Sequence, residues 1–426
     1  MLLDKFLQIK SSKFFTHSKL LLKMTLMKQP ELLAPAGNYE KAMIAFRYGA
    51  DAVYVGGTVF GLRKYADNVS DNELQKLITY ANKNQKAVYV VLNAFAHNSD
   101  IEPIKAYLTV LESLQPHALI ISDSAVIHLA KQLTSIPIHV STQASATNHY
   151  ACEYYKALGA TRVILAREVS IEDCKAIKNH CDIELEIFVH GAMCASYSGK
   201  CVISNYSAGR DSNRGGCVQS CRHNYQLIDP KTGAIQQQAH IMNAKDLMGL
   251  YQLPEIIQAG IESVKIEGRM KSNLYVANAV SCYRKALDYC YNQQLTNQPI
   301  DTTILQTLAQ QLENVSNRSF SHGGLIERPH GSSLNTSFSH YLKNVHFLGT
   351  VHGSDAQGNV ICLIKSDFTL NDQLMILSPS KPFEPLSFTH FFDMLNQPID
   401  KAKPNSVIKL KSEHTIEPYS LLVKTI

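Results

Sequence analysis

The chain has 426 residues, 45% of them hydrophobic and 18% charged. That balance is ordinary for a globular protein, and the length suits two domains or one large barrel with an appendage. No apolar run approaches the roughly 18 residues a membrane-spanning helix requires. The formal charge of +5 comes from one end, because residues 1–28 hold Lys5, Lys10, Lys13, Lys19, Lys23 and Lys28 against the single acid Asp4. The remainder is near neutral, which excludes a strongly basic nucleic-acid binder; any RNA contact has to come from local patches.

In chain order, the 1–28 extension is basic with apolar interleaving but has no small-residue cleavage signal. It reads as a disordered tail or an over-long start, with Met24 and Met27 as later alternatives. From Glu31 onward short apolar runs alternate with amphipathic stretches. The strand runs are 31–35, 52–56, 87–93, 118–122, 138–142, 162–166, 185–189 and 263–267. Helical patterns at 39–48, 71–84, 103–114, 124–133, 148–158 and 171–180 separate them, and another covers 272–292. Strands this hydrophobic, each followed by a helix, belong to a parallel sheet covered on both faces. Eight such units between residues 29 and 325 predict an α/β fold, a (β/α)8 TIM-like barrel, rather than an open doubly wound sheet.

Polar residues fall at the carboxyl ends of these strands, where such barrels place their chemistry. They are Asn93, Asp123, Thr142, Gln143, Arg167, Glu168, Glu267 and Arg269, with His190 closing the seventh strand. Residues 191–250 then form the one long interruption, a cysteine-rich insertion after strand 7. The helical pattern resumes to about Asn314, and a Ser/Asn/Gly-rich linker covers 326–343. Short alternating runs over 344–426 predict a small C-terminal all-β barrel domain. Its charges balance, so its expected role is packing against the first domain.

Four of the ten cysteines fall within the 191–225 loop, as Cys194-x6-Cys201-x15-Cys217-x3-Cys221. Four thiols on a glycine-loosened loop suit a soft metal centre, either zinc or an iron–sulfur cluster. The alternatives are two disulfides or four free thiols, and disulfides belong to secreted chains. The six scattered cysteines, mostly in helical patterns, suit a reducing cytoplasm. Arg210, Arg214 and Arg222 lie in or beside the loop; their guanidinium forks suit phosphates, carboxylates or barrel acids. Lys265, Glu267 and Arg269 at the eighth strand end can hold a small acid or a base, or form a rim ion pair. Lys271 is read as a helix cap. His190 with Cys194 raises a Cys–His protease, but three companion cysteines explain Cys194 better as a ligand. Tyr197, Tyr206 and Tyr225 are candidates to stack on a flipped-out base, or core tyrosines.

The segment Glu186-Ile-Phe-Val-His190-Gly-Ala-Met-Cys194-Ala-Ser-Tyr-Ser-Gly199-Lys-Cys201 closely resembles the signature of the U32 "peptidase" family. Glu31-Leu-Leu-Ala-Pro-Ala-Gly37, Gly209-Arg-Asp-Ser-Asn-Arg-Gly-Gly-Cys217-Val-Gln-Ser-Cys221-Arg222 and Ser263-Val-Lys-Ile-Glu-Gly-Arg-Met-Lys-Ser272 fit the same family. The resemblance covers roughly residues 30–325, and the terminal β unit is similar to a domain found in some members. It implies an RNA hydroxylase more than a peptidase. The implied cofactor is a [4Fe–4S] cluster on Cys194, Cys201, Cys217 and Cys221, with zinc as the alternative. The architecture looks most like the group that forms 5-hydroxyuridine at the tRNA wobble position, with prephenate rather than dioxygen as the route to hydroxylation. The resemblance thus implies tRNA and prephenate as partners and a cytoplasmic location. His190, Glu267 and Arg269 are the candidate catalytic residues; Arg210, Arg214, Arg222 and Lys265 are the candidates to bind prephenate or phosphate. A peptidase, or a non-catalytic metal-binding protein that docks RNA or another partner, are the other readings. The chain departs from the family motif at Asn317, which usually reads His, and at Gly323-Gly324, which usually reads Gly-Phe.

Overall fold

The computed structural model describes residues 28–57, 60–61, 68–355, 357–412 and 415–426. The basic extension, apart from Lys28, lies outside the described residues. Seven parallel strands follow in order: β1 (Glu31–Ala36), β2 (Ala52–Gly56), β3 (Ala87–Leu92), β4 (Ala118–Ile121), β5 (Ile138–Val140), β6 (Arg162–Ile164) and β7 (Glu184–Gly191). Six helices alternate with them: α1 (Tyr39–Arg47), α2 (Asp71–Lys83), α3 (Ile101–Leu114), α4 (Ser124–Leu133), α5 (His149–Ala157) and α6 (Ile171–His180). The insertion contributes α7 (Ile203–Ala208), the hairpin β8 (Tyr225–Ile228) and β9 (Ile235–Ala239), then β10 (Asp246–Met248) and α8 (Leu253–Gln258). The eighth barrel strand is β11 (Ser263–Ile266), which pairs in parallel with both β1 and β7 and closes the cylinder. The (β/α)8 expectation therefore holds.

Local chemistry starts the helices where the pattern expects them. Ser70 and Glu73 form a reciprocal capping box on α2, Ser170 and Asp173 another on α6, and the Asp123 carboxylate caps α4. Each satisfies amide groups that the first helical turn leaves without partners. The pattern read as continuous helix to about Asn314 is two helices, α9 (Asn273–Leu295) and α10 (Thr302–Leu312). Asn297, at positive φ, and Pro299 turn the chain between them.

The barrel axis is polar at its amino-terminal end. Arg162 donates to Glu31 at 2.7 Å, to Glu184 at 2.8 Å and to Glu186 at 3.3 Å. Glu186 is completely buried and also accepts from Lys265 Nζ at 2.9 Å. The network ties β1, β6, β7 and β11 together, including the two strands that meet at the closure. A buried carboxylate is tolerable only with such partners.

Strand β7 outruns the barrel. Its register with β11 skips Val189, which places a bulge there, and its last two residues pair antiparallel with β10. The insertion thus leaves the barrel along an extension of its own sheet. The first residues of α9, from Asn273 through Tyr283, are all buried. That is why this helix lacks a clean amphipathic stripe. The C-terminal domain covers it, with Asn273 Nδ2 donating to Thr350 Oγ1 at 3.2 Å and Tyr48, just past α1, donating to the Leu377 carbonyl at 2.7 Å.

That domain is all-β and antiparallel: Val345–Ser354 lies between Val360–Ile364 and Leu421–Thr425. Val345, Leu377, Leu421 and Val423 continue the barrel's hydrophobic core. The segment expected as a linker is tethered along its length. A short strand β12 (Phe320–Ser321) pairs with β10, and bridges join Asn317 to Leu342 and Ala244 to Leu334. The fully buried Asn243 donates to the carbonyls of Asn335 and Phe338. Its small polar residues serve as hydrogen-bonding cover. Among the described residues no helix is long and apolar enough to cross a membrane.

Lys265→Met should leave Glu186 short of a partner and cost about 3–5 kcal/mol in urea denaturation of the full chain. Lys105→Met, which removes an exposed pair with Glu102, should cost under about 1 kcal/mol.

Candidate active site

The carboxyl ends of the barrel strands surround a cavity of about 190 Å³. Tyr54 and Phe188 supply aromatic walls, Asn93 and Gln143 amides, and Lys265 stands at its base with its ammonium 4.4 Å from the Tyr54 ring centroid. Gln143 Oε1 is buried without a hydrogen-bond partner. The cysteine loop roofs this cavity through Cys194, Tyr197, Cys201 and Cys217.

The roof is held by backbone-directed contacts from neighbouring strand ends. The Ser198 amide donates to Glu168 Oε1 at 3.1 Å, its hydroxyl accepts from the Arg167 amide at 3.1 Å, and Ser145 Oγ donates to its carbonyl. Farther along, the Phe95 amide donates to the Asn213 carbonyl at 3.0 Å, and Asn213 Nδ2 donates to the Cys201 carbonyl at 3.0 Å. Gly199 makes the closest approach. Its φ is +75°, and a Cβ there would lie 2.0 Å from the Gln143 carbonyl oxygen.

All four loop cysteines are free thiols. Cys194 and Cys217 line both the roofed cavity and a second one beside it; Cys201 faces the first and Cys221 the second. Burial pushes the Cys194 and Cys221 thiols up. At Cys201 burial is outweighed by hydrogen bonds from Ser196, the Ile203 amide, Ser212 and Cys194, which hold that thiol below its ordinary value. Among the described residues no three or more His, Cys, Asp or Glu side chains are gathered closely enough to hold a single metal ion.

The other expected site residues divide. Glu267 lines both cavities and pairs with Arg167 at 3.3 Å; Arg269 lines the first and donates to Asn68 Oδ1 at 2.7 Å. His190 does not join them. It is 1% exposed, lines neither cavity, and packs among Tyr275, Tyr283 and Phe320. Burial, with Lys271 adding to it, brings its imidazole down to about 3, so the ring is neutral. The structure thus places His190 in the packed core rather than at either cavity. The reason lies in the β7 overhang, which carries it into the α9 packing layer.

The four expected anion binders also separate. Arg214 lines neither cavity and pairs with Asp100 at 2.5 Å. Arg210 is exposed and lines neither. Lys265 is engaged by Glu186. Arg222 lines the second cavity while donating to Asn243 Oδ1 and the carbonyls of Ala244 and Met193. Of the tyrosines, Tyr197 is at the first cavity and 60% exposed; Tyr206 and Tyr225 lie outside both. Lys271 is no simple cap. With Arg318 and Tyr341 it lines the second cavity, a grouping no local spacing signals.

A family model described as peptidase family U32 matches residues 37–335, and one described as its C-terminal domain matches 343–422. The chain is 36% identical over 417 residues to tRNA hydroxylation protein P1 of Bacillus subtilis, covering 94% of this chain and 96% of that one. It is 32% identical over 402 residues to tRNA hydroxylation protein P of Escherichia coli, covering 83% and 87%. To the 23S rRNA 5-hydroxycytidine C2501 synthase of Escherichia coli it is 37% identical over 258 residues, covering 61% of this chain and 39% of that one.

Two glycines of the loop should separate strain from collision. Gly209 is also left-handed, at φ +62°, but has open space around it. Gly209→Ala should cost about 1–2 kcal/mol from backbone strain alone. Gly199→Ala should cost more and open the 194–217 loop to limited proteolysis, because the Gln143 carbonyl has to move.

Proposed function

The chain belongs to peptidase family U32, and within it we propose an RNA hydroxylase that forms 5-hydroxyuridine at the wobble position of tRNA, using prephenate and a [4Fe–4S] cluster. The observation that carries this reading is a cavity at the barrel mouth, large enough for one base, roofed by the free cysteines Cys194, Cys201 and Cys217, with Cys221 close behind in the same loop. The full-length similarity to proteins named for tRNA hydroxylation, the β domain included, supports tRNA over other RNA. The proposed location is the cytoplasm.

Cys194, Cys201, Cys217 and Cys221 would hold the cluster. The fit rests on the donor set: thiolates of a cluster bind separate irons, so they need wider spacing than a single ion tolerates. When bound, the cluster supplies one-electron chemistry. The remaining work falls to this chain's own side chains. A base inside a folded RNA has to leave its stack to enter so narrow a cavity. Tyr197 at the rim can stack on it, while Tyr54 and Phe188 wall it in. The Gln143 Oε1 acceptor matches the N3–H of a uracil edge. Lys265, held by Glu186, places fixed positive charge at the base of the cavity. A Cys–His peptidase lacks support here, because His190 is buried away from both cavities.

Nucleoside mass spectrometry of tRNA from a strain deleted for this chain should show 5-hydroxyuridine derivatives lost. The wild-type chain should restore them and Cys194→Ala should not; unchanged levels would sink the proposal. Anaerobically purified protein should absorb near ~400 nm, where a d¹⁰ zinc ion gives no band. Each of the four Cys→Ala changes should remove that band, and Cys282→Ala should leave it. Gln143→Ala should keep the band yet slow hydroxylation about tenfold, the worth of one buried hydrogen bond.

A further inference from the structure

Two residues singled out by the sequence, Tyr206 and Arg210, line neither cavity. They belong to a ledge on the roof of the first. The short helix α7 follows Cys201 and precedes Ser212, and both of those residues line that cavity. One side of the helix faces inward. Ser204 is 1% exposed, and its hydroxyl accepts from the Val218 amide at 3.2 Å. Its carbonyl accepts from the Arg210 amide at 3.1 Å, while Asn205 Oδ1 accepts from the Ser212 amide at 3.1 Å. The Ser207 and Ser220 hydroxyls are hydrogen-bonded at 2.6 Å. The helix is thus pinned at several points to the stretch that carries Cys217 and Cys221.

The other side is bare. Every residue from Tyr206 through Arg210 is exposed, and Tyr206 is 89% so. The chain between this helix and the cavity rim is open too. Val202 and Lys200 are exposed, and the Lys200 amide closes a turn on the carbonyl of the rim residue Tyr197 at 3.0 Å. A lone exposed ring is ordinary on a protein surface. Two on one pinned loop, interleaved with Lys200 and Arg210, are a different arrangement. From Cys194 to Arg222 the single acid is Asp211, and its carboxylate is occupied by the Asn213 amide at 2.8 Å. Of the loop's cations, Arg214 pairs with Asp100 and Arg222 is buried, so Lys200 and Arg210 set the charge of the outer surface.

We propose that this ledge seats the RNA strand flanking the target base, with Tyr206 stacked on the base of an adjacent nucleotide and Lys200 and Arg210 on its phosphates. Aromatic rings interleaved with cations grip unpaired nucleic acid without reading its sequence. Extruding one base breaks its stack with its neighbours, and an exposed ring replaces the lost face. The pinned helix presents that ring with little left to order on binding. A protein partner would also cover the tyrosines, but the excess of cations favours an anionic strand. The assignment rests on the hydroxylase reading for a base to be extruded here; affinity of the ledge for RNA does not require hydroxylation.

Fluorescence anisotropy with the anaerobically purified full-length protein tests it, the probe being a labelled anticodon stem-loop with uridine at the wobble position. Tyr206→Ala should weaken binding about tenfold, the worth of one stacked base, and Tyr206→Phe should bind as wild type. An abasic nucleotide at the contacted neighbour of that uridine should cost the wild type a similar factor and add nothing to Tyr206→Ala. Lys200→Met and Arg210→Met should each lower the slope of log affinity against log salt by about 0.7, one phosphate contact apiece. All four variants should keep the wild-type absorption spectrum. Wild-type affinity in Tyr206→Ala, or losses that add for that variant and the abasic RNAs at both neighbours, would overturn the proposal. Unchanged RNA affinity with a shifted sedimentation coefficient would assign the ledge to a contact between copies of this chain. If Tyr206 governs RNA affinity while gene deletion leaves 5-hydroxyuridine in tRNA intact, the hydroxylase reading fails alone. If deletion removes it and Tyr206→Ala binds normally, the ledge fails alone.

Discussion

A carboxylate with no solvent exposure, Glu186, sits on the barrel axis between Lys265 and Arg162. Hydrophobic layers fill most barrels of this kind; here the amino-terminal layers are charged. Such a network is weak as a source of stability, since replacing it with apolar side chains is often neutral. It is strong as a constraint, because none of its members can be removed singly without stranding a charge. It therefore holds β1, β6, β7 and β11 in one register and fixes the Lys265 ammonium beneath the cavity. The walls above inherit their positions from that floor.

From the same strand comes the second constraint. Because β7 runs beyond the cylinder and bulges at Val189, its overhang needs a new partner, and β10 provides it. The chain between them has to cross the barrel mouth and return. Its cysteine portion is pressed down by the Ser198 contacts to β5 and β6 loops, and Gly199 permits the close pass over Gln143. The tethered segment between Asn317 and Leu342 then covers the return. Two cavities result, separated by the wall that carries the thiols, one amide-lined with a cationic floor and the other dominated by cations.

The legible part of this protein was carried by short-range pattern. Alternation of apolar runs with capped amphipathic helices declares the eight barrel units, and four cysteines in one loop declare themselves by spacing. Glu267 and Arg269 were legible as strand-end residues because barrel geometry always presents those ends to one face. The β domain's packing role followed from its balanced charge.

What spacing cannot carry is which distant group meets which. Arg214 looked like an anion binder until Asp100, far upstream, took its guanidinium. His190 stands four residues from Cys194, yet the overhang of β7 turns it into the core and leaves it neutral. Arg167, Arg222, Lys271, Arg318 and Tyr341 come from five separated stretches, and no window contains them together. The sequence by itself determined the barrel, the loop and the thiol set, since each depends on local propensity and periodicity. Only the tertiary structure decided the charge state and company of each polar side chain, because burial and Coulomb interaction depend on distance in space rather than along the chain.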